Sequence, residues 1–551
     1  MLLRPLLNPN QSASKKQLAK YVAVLLVMLP FSVFCQELDI KATVNTSGYI
    51  YETQIGDEEA TQGESILVKP SIVGSYSSRR LSASLSANHS IVKKNSDSSI
   101  DTVNGTTTDS QSQNYTDFKY TSTLTLIENA MTLSLNGTQG YRNISQQQNY
   151  FSDKILDSKD LTKTTRNSAQ LSFSIPNPLY LGFNLQGTYS QTKSDRSQES
   201  TLGLDNDNLG VVAKLYQGKN VRGVNFDVSA QYNDTSRSNL QNFKSTRVQA
   251  NFGFPIVNKI EFFVTGGLEE YDSGNIEFSS RSNIDTSSYG AGLKWNPSNE
   301  RTISLTYNQL DEGDKQTNYV GLDLAWAFTS RTALNFDYSK RFFGDSYRLG
   351  FKHSLKSLRT SVTYSEDVTS FSRLGASTTT ITGIFVCEFG STDLADCFQP
   401  DSLDYQLQAG EEFRATTEID TDITEEVLFR KTGTASIGYD KRKIKVSINA
   451  NYSQTEYLES DRINTNRRLS FNFNYALSRK TNISFASTVA KNQRSELEDA
   501  DTIVTNSLDF KRNLTRQLKL SVGLRLLDRK SDTLERDGSD KRLTVGLNYT
   551  F

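Results

Sequence analysis

The chain has 551 residues, with 61 basic against 62 acidic and a formal net charge of -1, which denies it the basic footprint of a nucleic-acid binder. Only 36% of its residues are hydrophobic and its mean hydropathy is -0.52, which excludes a bundle of apolar membrane helices. A membrane β-barrel stays open, because its strands need apolar side chains only at alternate positions of a lipid-facing band.

Residues 1–35 read as an export signal. Lys15, Lys16 and Lys20 precede an apolar run from Tyr21 to Phe34, and polar Gln36 and Glu37 come directly after it, so cleavage is expected after Cys35. The run is shorter than the roughly 20 residues a helix needs to cross a bilayer. An uncleaved anchor is one alternative, and lipidation of Cys35, beside the bulky Phe34, is the other. No Pro-rich or Gly/Ser-rich linker divides the remainder of the chain, so residues 36–551 are expected to form one domain.

That domain repeats a single unit, two alternating apolar and polar runs joined by a tight turn. Eleven such hairpins turn near Ser78, Ile127, Pro176, Gln217, Ile256, Pro297, Thr329, Leu355, Asp440, Leu477 and Leu514. Each run is close to the roughly 9–11 residues that cross an outer membrane as a tilted strand. An opening strand, Leu38 to Tyr51, and a closing strand, Lys541 to Phe551, complete the set. The expected fold is all-β, a transmembrane antiparallel up-and-down barrel of about 24 strands, within a range of 20 to 26. An even count returns both termini to the periplasmic side. The polar excursions Lys93 to Tyr115, Arg142 to Thr165 and Gln191 to Asn208 then become extracellular loops. A soluble propeller is the competing fold, but it needs apolar side chains on both faces. Here the second face is Ser, Thr, Asn, Gly and charge.

Strand parity turns Lys214, Asp227, Lys294, Asp323, Asp337, Lys352, Lys445, Asp509, Lys511 and Arg525 toward the lumen. Lipid enforces that parity, since an Arg or Lys at mid-bilayer on the outer face costs about 2–4 kcal/mol. A hydrated channel or a polar track for a sugar chain is the functional reading. Internal salt bridges and a solvated lining are the bland one.

Between Glu366 and Glu426 the hairpin rhythm breaks. Segments of that length are usually functional or disordered, and this one is expected to be a large extracellular loop partly covering the lumen. Cys387 and Cys397, in an exported chain, are expected to form a disulfide. Metal binding by two cysteines without a nearby histidine is disfavoured.

Catalytic constellations are sparse, and neither an enzyme, a cofactor nor a metal site is expected. The two histidines, His89 and His353, fall at opposite ends of the expected barrel. Acidic pairs at Glu269-Glu270, Glu411-Glu412 and Glu425-Glu426 have the composition of a glycosidase pair, but adjacent carboxylates are more often solvated charge. The clusters Asp205 to Asn208 and Asp311 to Asp314 offer oxygen ligands without completing a calcium loop. Phosphate-binding and dinucleotide-binding glycine motifs are absent from the sequence.

The last nine residues place Leu543, Val545, Leu547, Tyr549 and Phe551 on one strand face, ending on an aromatic. Tyr549 and Phe551 are the expected C-terminal assembly signal, read by the barrel-assembly machinery.

Three further stretches carry a resemblance: Arg341-Phe342-Phe343-Gly344, Tyr364-Ser365-Glu366-Asp367, and the run from Glu425 to Lys431 that opens a strand. Over its middle third the chain resembles the PEP-CTERM (exosortase) system-associated outer-membrane β-barrel family, with the flanking thirds similar in architecture only. The resemblance implies a Gram-negative outer-membrane barrel tied to exosortase and exopolysaccharide gene sets and assisting polysaccharide export. Outer-membrane lipid, the assembly machinery, polysaccharide and export proteins would be its partners. It implies no catalytic residue. A general diffusion porin and a surface adhesin or structural barrel are the alternatives.

Overall fold

The computed structural model describes residues 37–57, 59–96, 109–143, 154–155, 161–195, 205–238, 242–272, 283–298, 300–313, 315–370, 385–388, 397–398, 411–414, 427–457, 462–493, 500–531 and 537–551. The expected signal segment lies outside them, as do the central parts of the three expected extracellular loops.

In chain order the strands begin with β1 Glu37–Ile55, β2 Thr61–Ser77, β3 Leu81–Ser96, β4 Asp109–Ile127, β5 Met131–Asn143, β6 Leu161–Ser174, β7 Leu181–Ser194, β8 Asn206–Gln217 and β9 Asn225–Arg237. They continue with β10 Phe243–Val257, β11 Ile260–Asp272, β12 Asn283–Ser298, β13 Arg301–Glu312, β14 Lys315–Thr329, β15 Thr332–Arg341, β16 Gly344–Ser354 and β17 Leu358–Ser370. Three short strands come next, β18 Phe385–Glu388, β19 Cys397–Phe398 and β20 Glu411–Arg414. The chain closes with β21 Val427–Lys441, β22 Ile444–Tyr457, β23 Arg462–Ser478, β24 Thr481–Gln493, β25 Asp501–Asn513, β26 Leu518–Lys530 and β27 Gly538–Thr550.

Twenty-four of these strands form one sheet, each antiparallel to its neighbour, with β17 passing directly to β21. Strand β1 pairs with β2 along one edge and with β27 along the other, Val44 opposite Tyr549 and Ile50 opposite Leu543. The sheet therefore closes on itself and leaves no edge, the all-β barrel expected. The three short strands make a separate small sheet with β18 in the middle.

Two expectations are corrected. The strands run from 10 residues in β15 to 19 in β1 and β4, so most extend beyond the length that lipid alone requires. Above the membrane both faces of a strand meet water, so the alternation that marks a strand in the sequence stops before the ladder does. For the same reason β17 carries Glu366 to Ser370 as strand, within the bounds expected for the loop; residues 371–384 lie outside the described residues.

One set of ends is joined by tight turns, from two residues between Val257 and Ile260 to seven between Gln217 and Asn225. Asn129, Asn177, Lys259 and Arg442 take positive φ there, the backbone step that a short hairpin demands. These are the turns that the hairpin pattern marks, and they lie on the side of the expected periplasmic termini.

Register separates the two faces. Leu469, Val489, Leu508, Leu524, Leu543, Val545 and Leu547 share the outer face and are exposed. A closed barrel with such an exterior can cover it only with lipid. Outward Trp295 and Trp326, with ring centroids 6.1 Å apart near the tight-turn end, and outward Tyr189, Tyr232, Tyr307 and Tyr347 toward the other end mark the two interfacial girdles of such barrels. The protein is an outer-membrane β-barrel of the Gram-negative type, in contact with membrane lipid.

Candidate functional site

The inner face is built mainly from hydroxyls and amides. Ser82, Ser84, Ser86, Asn88 and Ser90 succeed one another inward along β3, and Ser447, Asn449, Asn451, Ser453 and Thr455 along β22. Many bond across the ladder: Thr363 to Thr434 at 2.6 Å, Ser84 to Thr121 at 2.7 Å, and Asn472 Nδ2 donating to Ser447 Oγ at 3.3 Å.

All ten charges assigned to the lumen lie on this face by register. Lys214 and Asp227 meet at 2.8 Å, Lys445 reaches Asp440 at 3.2 Å, and Arg525 lies 3.9 Å from Asp540, which Arg542 also holds at 3.1 Å. Asp323 stands directly opposite Asp337, and Asp337 in turn opposite Arg348. Lys294 stands opposite Glu261, Lys352 opposite Ser361, Asp509 opposite Gly523 and Lys511 opposite Ser521. These charges are dispersed along the wall and form no single focus.

The focus lies elsewhere, at the two-residue connection between β15 and β16. This hairpin is the shortest in the barrel, with strands of 10 and 11 residues. Its turn pairs Arg341 with Gly344 across Phe342 and Phe343. Neither Phe takes positive φ, and the left-handed step falls on Gly344 with φ 108°, the geometry of a type I turn completed by glycine. Tight turns ordinarily carry polar residues. Two phenylalanines at the tip need cover, and they find it across the mouth of the barrel.

Arg341 Nε donates to a Glu269 carboxylate oxygen at 3.0 Å and Nη2 donates to the Tyr271 hydroxyl at 2.9 Å, both on β11. Nη1 reaches Asp367 on β17 at 3.4 Å. Strands β11 and β15 are four places apart in the sheet, a path along the wall of about 19 Å at 4.8 Å per strand. A side chain bridges it only if the hairpin tip leaves the line of the wall; Glu269 and Tyr271 lie on the inward face by register, whereas Val368 and Phe429, which the tip also meets, share the row of exposed Ile437. Arg247 on β10 closes on Glu269 at 3.1 Å, so one carboxylate serves two guanidinium groups. The pair is nearly dry: Arg341 is 6% exposed and Glu269 12%.

The aromatic contacts run along the same line. Phe243 of β10 stacks on Tyr271, Tyr271 packs on Phe342 at 5.1 Å, Phe342 on Phe343 at 5.1 Å, and Phe343 on Phe429 of β21 at 4.3 Å. Val368 joins the cluster, and the Arg341 guanidinium lies 4.8 Å over the Phe343 ring. The hairpin tip thus acts as a strut linking β10 and β11 to β17 and β21. A second inward contact stands on the opposite wall, where Lys154 bonds to Asp117 at 2.6 Å and sits 5.3 Å over the Tyr115 ring.

In the sequence Arg341 to Gly344 and Asp367 stand out only through the resemblance, and nothing there marks Arg247, Tyr271 and Asp367 as partners of Arg341. Glu269 and Glu270 fall on opposite faces of β11 and cannot act together on one bond. The pair Glu425-Glu426 lies outside the described residues. Both histidines face outward, His89 bonded to Thr116 and His353 to Thr332, each at 2.8 Å. Among the described residues no group of His, Cys, Asp and Glu is arranged to hold a metal ion. Cys387 and Cys397 stand opposite one another in the β18–β19 register. At the C-terminus, Phe551 N donates to Ala42 O at 2.9 Å and its ring meets Tyr549 edge-on at 4.8 Å.

No family model and no curated protein matches the chain. Among solved structures it is similar to the siderophore receptor PirA from Acinetobacter baumannii, with 11% identity and a TM-score of 0.44 over 93% of this chain and 80% of that one. The FrpB iron transporter from Neisseria meningitidis is similar at 9% identity and a TM-score of 0.43, covering 94% and 83%. The copper transporter OprC is similar at 10% and 0.39, covering 94% and 81%. Likeness at this level transfers no ligand to this chain.

Proposed function

We propose that this barrel serves exopolysaccharide secretion, as a conduit or assembly partner without catalytic chemistry of its own, and that it belongs with the PEP-CTERM system-associated barrels it resembles. The observation that carries the reading is the lining. Rows of inward hydroxyls and amides, with charges of both signs dispersed among them and some of these paired, present a hydrogen-bonding track without one dominant charge sign to a polyhydroxyl chain. A lumen selecting small ions would instead carry a ring of one charge sign. The strut on Arg341 fits a passage held narrow until its cargo or a partner engages it, and its turn is one of the stretches that carry the resemblance.

Conductance in planar bilayers tests this. A conduit of this kind conducts weakly at rest, and polysaccharide fragments added on the periplasmic side alter its current. Large, steady conductance indifferent to polysaccharide would instead identify a general diffusion porin.

A further inference from the structure

We propose that the outer wall of the barrel carries a binding site for the phosphate groups of an outer-leaflet glycolipid, formed by Arg467, Lys491 and Lys530. Arg467 of β23 stands directly opposite Lys491 of β24, Lys491 opposite Thr502 of β25, and Thr502 opposite Lys530 of β26. All three cations are exposed and share the outward face with Leu469, Val489 and Leu526.

Their height matches a lipid headgroup. Counted by residue number, Arg467 lies 11 positions from Ser478, Lys491 10 from Thr481 and Lys530 12 from Leu518, the strand ends at the tight turns. At about 3.3 Å per residue and a tilt near 40°, that places them roughly 25–30 Å up, at the top of an apolar band about 25 Å tall. The next outward pair below Arg467 and Lys491 is Leu469 opposite Val489; on β26 exposed Asp528 lies between Lys530 and Leu526 on this face, and Leu508, Leu524 and Leu526 form the apolar surface beneath. Acyl chains lie against these leucines, and the phosphorylated sugars above them meet the cations.

Charge makes the site specific. Like charges directly opposite on one sheet face repel, with Cβ atoms about 4.5–5.5 Å apart. Among the described residues none of the three cations has an ion-paired carboxylate. Of the other outward lysines on the rim, Lys541 pairs with Glu52 at 2.8 Å and Lys163 with Asp195 at 3.7 Å, whereas among the described residues Lys93 and Lys193 lack such a pair but stand opposite neutral Ile66, Ser112 and Thr165 rather than a second cation. A phosphate seated between Arg467 and Lys491 supplies the missing counter-charge through charge-assisted hydrogen bonds, and Lys530, two strands along, takes a second. The outer leaflet of a Gram-negative outer membrane is built of such phosphorylated glycolipid.

The test is retention of bisphosphorylated lipid A by the detergent-purified barrel, read by native mass spectrometry and by the temperature of its heat-modifiable gel shift. Wild type should retain the lipid and unfold at a higher temperature with it. Arg467→Ser with Lys491→Ser should bind it about 30-fold more weakly, at roughly fivefold for each basic residue lost near an anionic surface. The exchange Arg467→Lys with Lys491→Arg should bind as wild type does. Should the double-serine protein fail to fold, Lys491→Ser alone should show a loss of about fivefold on the same scale. Equal retention by the serine variants would overturn the proposal, as would equal retention of dephosphorylated lipid A by wild type. An equal thermal shift from inorganic phosphate alone would mean a free-anion site and would overturn the lipid assignment.

Discussion

Arg341 and Glu269 lie 72 residues apart in the chain and four strands apart in the sheet, yet they share a 3.0 Å hydrogen bond. The bond is the central member of a strut that turns one hairpin tip away from the barrel wall. Removing one partner of a buried ion pair leaves the other uncompensated and costs about 3–5 kcal/mol. The closed ladder is independent of this contact, so Arg341→Ala should still assemble. It should then show a higher and noisier single-channel conductance than wild type, with a lower unfolding temperature. Unchanged conductance in a correctly inserted variant would mean that the strut does not narrow the passage.

Gly344 carries the strut's turn by its backbone alone. A Cβ there would meet no atom within 4 Å, but φ is +108°, a region that L-residues rarely adopt. Gly344→Ala should therefore loosen the tip by about 1 kcal/mol or more, through strain and without a clash. The expected outcome is a conductance change in the same direction as Arg341→Ala. An alanine variant matching wild type in both conductance and thermal stability would place the turn's rigidity elsewhere.

Much of this architecture is legible in the sequence because lipid imposes it. Leu469, Phe471, Phe473 and Tyr475 alternate with polar residues because one face meets hydrocarbon and the other water, and the tight turns interrupt that alternation at regular places. The upper strands are not legible in this way. Along Ser112, Gln113 and Asn114 of β4 both faces are polar, since above the membrane neither has a reason to be apolar. The strut was hidden for a different reason: Glu269, Arg341 and Asp367 come together only once the sheet has closed. Its one local trace is Phe342-Phe343, two apolar residues at a turn where exposed tips carry polar ones. Arg467 and Lys491 are likewise ordinary surface charges until register sets them opposite each other.

Neighbouring residues on β23 test the assignment of faces. Phe473 pairs outward with Phe485, whereas Asn474 faces Lys445 on the lumen side. Phe473→Arg should cost about 2–4 kcal/mol by placing a charge in hydrocarbon, while the same charge at 474 stays hydrated. Folded protein recovered from outer membranes should fall sharply for the first variant and little for Asn474→Arg. Equal recovery would put the register of this strand in error.

The facing of Cys387 and Cys397 in the β18–β19 pair bears on the expected disulfide. Directly opposed residues of an antiparallel pair have Cα atoms about 4.5–5.5 Å apart, inside the range that a disulfide spans. Protein isolated from the outer membrane should take up no alkylating reagent at either position until it is reduced. Labelling of both cysteines without reductant would contradict the bond.

A role in exopolysaccharide secretion is decided by surface polysaccharide in a strain lacking this chain. The polymer at the cell surface should fall on deletion and return with the wild-type chain, while complementation by Arg341→Ala should restore it only with altered amount or length. Surface polysaccharide unchanged by deletion, from a barrel that conducts large steady currents, would rule out that role and leave a general porin in its place.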